Sequence, residues 1–236
     1  MKKLILSLSL IFILIFSANA QRPNVPGDLI VDFGLSLLSD APDNMDLRLL
    51  GSRAINVYYL YHIALGEESN FSINPGFGFS TENFNFDNSV TLRYNSDPTV
   101  GNEFVPVVDY LNLAADDEIR KTKLTANYID IPLEIRFHAN KENHDRGFMV
   151  AVGGRVGILF DSKTKIKYVE DGNTKKSKDK EQFGLNRFRY GVHGRVGLGA
   201  LSVFYYQNLS TLFNDNGPAE TEDTSSFMAG IAFTLF

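Results

Sequence analysis

Residues 128–137 read Tyr-Ile-Asp-Ile-Pro-Leu-Glu-Ile-Arg-Phe, with an apolar side chain at every second position. Successive side chains of a strand point to opposite faces. Ile129, Ile131, Leu133, Ile135 and Phe137 therefore share one face, and Asp130, Glu134 and Arg136 share the other. A half-buried strand of a soluble sandwich shows the same alternation, so one such run does not fix the solvent on either side. Its recurrence along the chain narrows the choice.

Eight segments fit the strand template: 29–38, 53–63, 70–82, 125–138, 147–160, 186–199, 201–209 and 226–236. In the first, Asp32 and Ser36 oppose an apolar face. In the third, Ser72, Asn74, Ser80 and Glu82 oppose Phe71, Ile73, Phe77 and Phe79. The sixth sets Arg187, Arg189, His193 and Arg195 against Phe188, Tyr190, Val192, Val196 and Leu198. For 201–209 the preferred phase puts Leu201, Val203, Tyr205 and Leu209 outward, with Ser202, Tyr206 and Asn208 inward. Pro75 and Pro132 lie inside strands, where each predicts a bulge or a lost ladder bond.

Residues 1–20 read as a cleaved signal peptide. Lys2 and Lys3 form the basic start, 4–16 the apolar run, and Ala18-Asn19-Ala20 the small-residue cleavage site. Its apolar run is short of the ~20 residues of a spanning helix. Removing it makes the formal charge of −5 two units more negative. The rest, 21–236, suits one domain. No stretch of it resembles a spanning helix, so a membrane-spanning form must be a closed barrel, because lipid cannot solvate open sheet edges. The absence of Cys excludes disulfides, thiol catalysis, thiolate metal sites and a lipidated N-terminal Cys. With no Trp, an interfacial aromatic girdle must be built from Phe and Tyr.

Connections alternate in length. Segments 39–52, 83–124, 161–185 and 210–225 are long; 64–69, 139–146 and 199–200 are short. With both termini in the periplasm, the long ones become surface loops and the short ones periplasmic turns, the asymmetry of outer-membrane barrels. The predicted fold is therefore all-β: an eight-stranded antiparallel transmembrane β-barrel in the outer membrane. A secreted soluble barrel or sandwich is the competing fold.

The 128–137 strand resembles the Tyr-Φ-x-Ile-Pro-Leu-Φ-Φ-Lys/Arg strand (Φ, apolar) of the PorT-like outer-membrane β-barrels of Bacteroidetes-type Gram-negative bacteria. The leader, the Gly-Gly-Arg-Val-Gly run at 153–157 and the terminal Phe236 fit the same layout. The resemblance implies an outer-membrane barrel domain delivered by the barrel-insertion machinery, with Phe236 as C-terminal assembly signal. Phe236 shares parity with Thr234, Ala232 and Gly230, while Phe233 and Leu235 lie on the other face, which departs from the usual form of that signal.

The candidate site is the lumen. Asp130, Glu134, Arg136, Arg155, Arg187, Arg189, His193 and Arg195 all carry inward parity. Eight strands enclose an interior just wide enough for side chains, so these charges read as a structural plug of paired ions. The Arg excess also admits a narrow passage for a small anion. Gly154-Arg155-Val156-Gly157 and Gly194-Arg195-Val196-Gly197 echo one another inside strands, where Gly makes room for a guanidinium rather than cradling phosphate.

Segment 161–185 carries Lys163, Lys165, Lys167, Lys175, Lys176, Lys178 and Lys180. It can meet lipopolysaccharide phosphates, pair with Asp116-Asp117-Glu118 or with Glu220, Glu222 and Asp223, or remain a solvated mobile loop. Asn214-Asp215-Asn216-Gly217 lacks the ligand spacing of a calcium loop and reads as a turn. Segment 107–121 reads as a short helix or an extra hairpin within a loop long enough to be functional. The four His residues form no catalytic set, so no enzyme, metal or cofactor is expected. The expected partners are outer-membrane lipid and lipopolysaccharide, the insertion machinery, and a protein docking on the surface loops; nucleic acid is not expected. The function this supports is a structural or interaction protein of an envelope or secretion complex. A narrow porin-like transporter is the alternative, and an outer-leaflet lipid-modifying enzyme ranks below it.

Overall fold

The computed structural model describes residues 27–66, 69–97, 100–114, 117–140 and 147–235. The expected leader at 1–20, Asp116, His144 and Phe236 lie outside them. The strands are β1 (Gly27–Ser39), β2 (Arg53–Tyr61), β3 (Ile63–Ala64), β4 (Phe71–Phe86), β5 (Val90–Arg93), β6 (Glu103–Pro106), β7 (Glu118–His138), β8 (Phe148–Glu170), β9 (Asn173–Asp179), β10 (Phe188–Leu198), β11 (Leu201–Asn208) and β12 (Ser225–Thr234). One short helix, α1 (Val107–Leu111), follows β6.

Hydrogen-bonded neighbours run β10-β11-β12-β1-β2-β4-β7-β8, and β8 pairs back onto β10. Eight antiparallel strands thus close into a ring. Every backbone ladder in it has two neighbours, so no sheet edge remains to solvate. The seam joins first and last strands, with Ile30 opposite Thr234 and Ser39 opposite Ser225.

The surface is inverted. On β7, Asp130 and Glu134 are at most 1 % exposed, whereas Ile131 and Leu133, beside them, are 61 % and 52 % exposed. The same outward apolar row runs through Val152, Val156 and Ile158 on β8 and Phe188, Val192 and Val196 on β10. Such a band would be a liability in water and is what a hydrocarbon solvent requires. Phe and Tyr supply its aromatic contacts, Phe79 against Phe160 near the long-loop end and Phe71 against Phe137 near the short-turn end. The preferred phase of β11 holds: Leu201, Val203 and Tyr205 face out, and Ser202, Tyr206 and Asn208 face in.

Pairing of β4 with β7 lapses between Pro75–Leu133 and Gly78–Asp130 without changing register. The prolines therefore cost ladder bonds and make no bulge. The register shifts elsewhere, once between Ile119 and Lys121 on β7 and once where Tyr128 pairs Leu159 but Asn127 pairs Asp161, a bulge that leaves Phe160 extra. Inward parity on β8 switches there, from Arg155 and Leu159 to Ser162, Thr164 and Ile166.

Beyond the bulge the long connections are folded, which corrects the expectation of a solvated 161–185 loop. β8 continues to Glu170 and turns back as β9. Segment 83–124 is divided among the end of β4, the β5–β6 hairpin, α1 and the start of β7. The reason is apolar burial: Met45, Phe84, Phe86, Leu92, Leu124, Leu159, Phe183, Leu185, Leu212 and Phe213 converge into one core at the long-loop end. Side chains from every long connection contribute to this cap. A second cluster inside the barrel gathers Ile30, Tyr58, Leu60, Phe204, Tyr206 and Met228.

Candidate functional site: the charged lumen

Alternation along each strand delivers the polar residues to the lumen, and register sets which of them meet. Arg189 lies at the loop-side level. Its Nη2 is 2.7 Å and 2.9 Å from the two Asp130 oxygens, its Nε is 3.2 Å from Oδ1, and its Nη1 donates to Glu82. The guanidinium is 3.7 Å from the Tyr128 ring centroid. Tyr58 OH donates to Asp130 Oδ2 at 2.7 Å, and Arg155 donates to the same phenol while its guanidinium sits 3.4 Å from the Tyr206 ring centroid. Arg is suited to this place because a planar fork can bind a carboxylate edgewise and an aromatic face flatwise.

Nearer the short-turn end, Arg195 grips Asp32 through two nitrogens at 2.7 Å and 2.9 Å and reaches Glu134 at 3.0 Å. Glu134 also accepts from Arg136 Nε at 2.7 Å and meets His193 Nε2 at 2.9 Å. Arg136 continues to Asp28, at the mouth. Asp32 is further bonded by Asn56, which accepts from Ser80. Two chains of alternating sign result, Glu82–Arg189–Asp130 with Arg155 beside it, and Asp32–Arg195–Glu134–Arg136–Asp28. Burial of an unpaired ion costs several kcal/mol, so each member is tolerable only because its neighbours carry the opposite charge.

Seven of the eight lumen residues expected from sequence are brought together here. Arg187 is not. It is exposed, one residue before β10, and its carbonyl accepts from the Leu159 amide. The ladder of β10 begins only at Phe188, so alternation does not reach Arg187. Three carboxylates, Asp28, Asp32 and Glu82, complete the network; the last two had inward parity in the sequence. They also correct the Arg excess: Arg136, Arg155, Arg189 and Arg195 meet Asp32, Glu82, Asp130 and Glu134, with Asp28 at the mouth.

Of the paired glycine echoes, Gly157 makes room as expected, since a Cβ there would overlap Asp130 Oδ1 and touch Arg189. Gly154 and Gly194 face outward, where a Cβ would make only ordinary contact with a neighbouring carbonyl, so the idea does not extend to them. His62 and His138 lie at the short-turn end with ring centroids 6.0 Å apart. Asn214 and Asn216 form a turn, with Asn216 N donating to Asn214 Oδ1.

Between the stacked side chains is a cavity of about 10 Å³, lined by Asp32, Tyr58, Glu134, Arg155, His193 and Arg195 among others. That is about enough to hold a single water molecule. A ring of eight antiparallel strands, apolar outside and ionic inside, is the architecture of a membrane barrel. A model of the outer membrane protein beta-barrel domain matches residues 36–214.

The chain belongs to this outer-membrane β-barrel family.

No curated protein matches the chain. Among solved structures, Ail, the attachment invasion locus protein of Yersinia pestis, is similar at 12% identity with a TM-score of 0.35, over 88% of this chain and 97% of that one. A second Ail structure, in complex with the heparin analogue sucrose octasulfate, is also similar at 12% identity, with a TM-score of 0.36 over 89% and 99%. The barrel domain is thus an outer-membrane protein whose membrane face is the apolar band and whose interior is the ion network.

Proposed function

We propose that this barrel domain is a non-conducting anchor that works as a structural and interaction protein, docking a protein partner of the cell envelope on its folded long-loop end. The observation that carries the reading is the filled lumen. Two ion-pair chains and stacked Arg–Tyr pairs leave a cavity of about 10 Å³, and the apolar cap lies above them. A solute path through this interior would have to break ion pairs in a low-dielectric site, at about 3–5 kcal/mol for each charge left unpartnered. The cap supplies what a docking surface needs, loops held in one conformation, so that association does not have to order them. In this reading the long-loop end faces outward, the short turns face the periplasm, and residues 1–20 direct export. A place among the PorT-like barrels rests on the 128–137 strand, and the reading involves no catalytic step.

Single-channel recording in planar bilayers tests the closed lumen. The expected trace is free of discrete conductance steps, and reproducible steps from the folded protein would overturn the anchor reading. In-membrane crosslinking from the loop end then identifies the partner. Crosslinks to lipid alone would count against a protein partner.

A further inference from the structure

Above the lipid band the barrel wall carries an unusual ladder. Register places Lys121 opposite Lys167, and Lys167 opposite Lys176; the next row sets Lys123 opposite Lys165, and Lys165 opposite Lys178. All six share the outward face, because the inward partners in the same strands are Ile166, Thr164, Ser177 and Asp179. Lys163 and Lys180 extend the face, sharing Asp161 at 3.3 Å and 3.6 Å. Lys123 Nζ donates to Asn83. Among the described residues, none of the six row lysines has a carboxylate within ion-pair distance. Like charges directly opposite one another destabilise a sheet, so the fold gains nothing by assembling three of them in each row.

The placement shows what would neutralise them. Phe160 is the last apolar residue on the outer face of β8 before the lysines begin. With ~3.3 Å per residue and a strand tilt of about 45°, Lys163, Lys165 and Lys167 stand roughly 7 to 16 Å higher. That is the level of lipid headgroups, and lysine stems can bend several ångström toward it. We infer that this Lys face on β7, β8 and β9 is a binding site for the phosphate groups of outer-leaflet glycolipid headgroups. Burial and the surrounding cations, Arg53, Lys165 and Arg48 for Lys121 and Lys121, Lys165 and Lys163 for Lys123, already press both ammonium groups toward losing their protons. Bound phosphate would relieve that repulsion. The site lies on the outer wall, apart from lumen and cap, and does not depend on the anchor reading.

The test uses the full barrel in phosphatidylcholine nanodiscs and fluorescent bisphosphorylated lipid A as probe. Binding is expected to weaken with added salt and with removal of the lipid phosphates. A juxtamembrane lysine contributes about fivefold to binding an anionic surface, so the row variant Lys123→Gln/Lys165→Gln/Lys178→Gln should bind about 100-fold more weakly. Lys175→Gln, whose lysine pairs with Glu170 across the other face, should bind as the parent does. If the first row variant does not fold, as judged by gel mobility without boiling, Lys121→Gln/Lys167→Gln/Lys176→Gln replaces it. Undiminished binding by a folded row variant, or equal binding of dephosphorylated lipid, would overturn the assignment. So would tighter binding of a soluble sulfated polysaccharide than of lipid A at the same Lys rows.

Discussion

Removing Arg189 is the severest single change the lumen offers. Arg189→Met keeps much of the side-chain volume and deletes the fork. Asp130 would retain the Tyr58 hydroxyl at 2.7 Å and Arg155 at 3.7 Å. Glu82 would retain only the Ser36 hydroxyl at 3.3 Å among its described contacts. A buried carboxylate stripped of its cation costs about 3–5 kcal/mol, and the Tyr128 stacking adds about 1 kcal/mol or more. The single variant should therefore lose about 4–6 kcal/mol. Adding Glu82→Gln and Asp130→Asn removes the orphaned charges, so the triple variant should recover more than half of that loss, because neutral replacement of a buried ion set is often tolerated. Urea unfolding in lipid vesicles, followed by circular dichroism because the chain lacks Trp, reads both numbers. A loss below about 1 kcal/mol, or a triple variant no better than the single, would refute the view that the network is held by charge compensation.

Gly157→Ala should destabilise the barrel by about 1–3 kcal/mol, since the new methyl overlaps Asp130 and Arg189; the same change at outward-facing Gly194 should stay within about 1 kcal/mol in the same unfolding assay. Phe183→Ala, in the cap, should cost about 3–5 kcal/mol and open the long loops to protease while the membrane-embedded strands stay protected. Lys121 and Lys123 have ammonium pKa values held below the ordinary 10.5. Between the lowered value and 10.5 the unfolded chain binds more protons, so stability in neutral lipid should rise with pH across that window and be flat below it. Lys123→Gln should reduce this rise and leave the protein more stable at pH 8. An unchanged pH profile would contradict the repulsion.

The fold was legible because alternation reports the face of each residue directly. Asp130, Glu134, Arg136, Arg155, Arg189, His193 and Arg195 could all be assigned inward without knowing any neighbour. Height was not legible. Asp32 meets Arg195 across a sequence separation of 163, and β1 and β10 are not adjacent in the ring, so only closure of the barrel brings them level. Glu82 was hidden in the same way. Arg187 was misplaced because parity was extended one residue past the end of a ladder. The 161–185 segment looked like a solvated loop since its lysines dominate its composition; the phase change at Phe160, which sends Ile166 inward, leaves no compositional mark.

That extra residue at Phe160 also governs how such a protein can change over time. Because strand faces repeat every two residues, an odd insertion normally turns a wall inside out. Here the odd residue is already absorbed at the boundary between lipid band and outer wall. The hairpin of β8 and β9 beyond it can grow, shrink or exchange its charges in steps of two without disturbing the face that meets hydrocarbon or the ions behind it. One barrel can therefore carry a succession of different exteriors, with the physical requirements of membrane and lumen confined below a single residue.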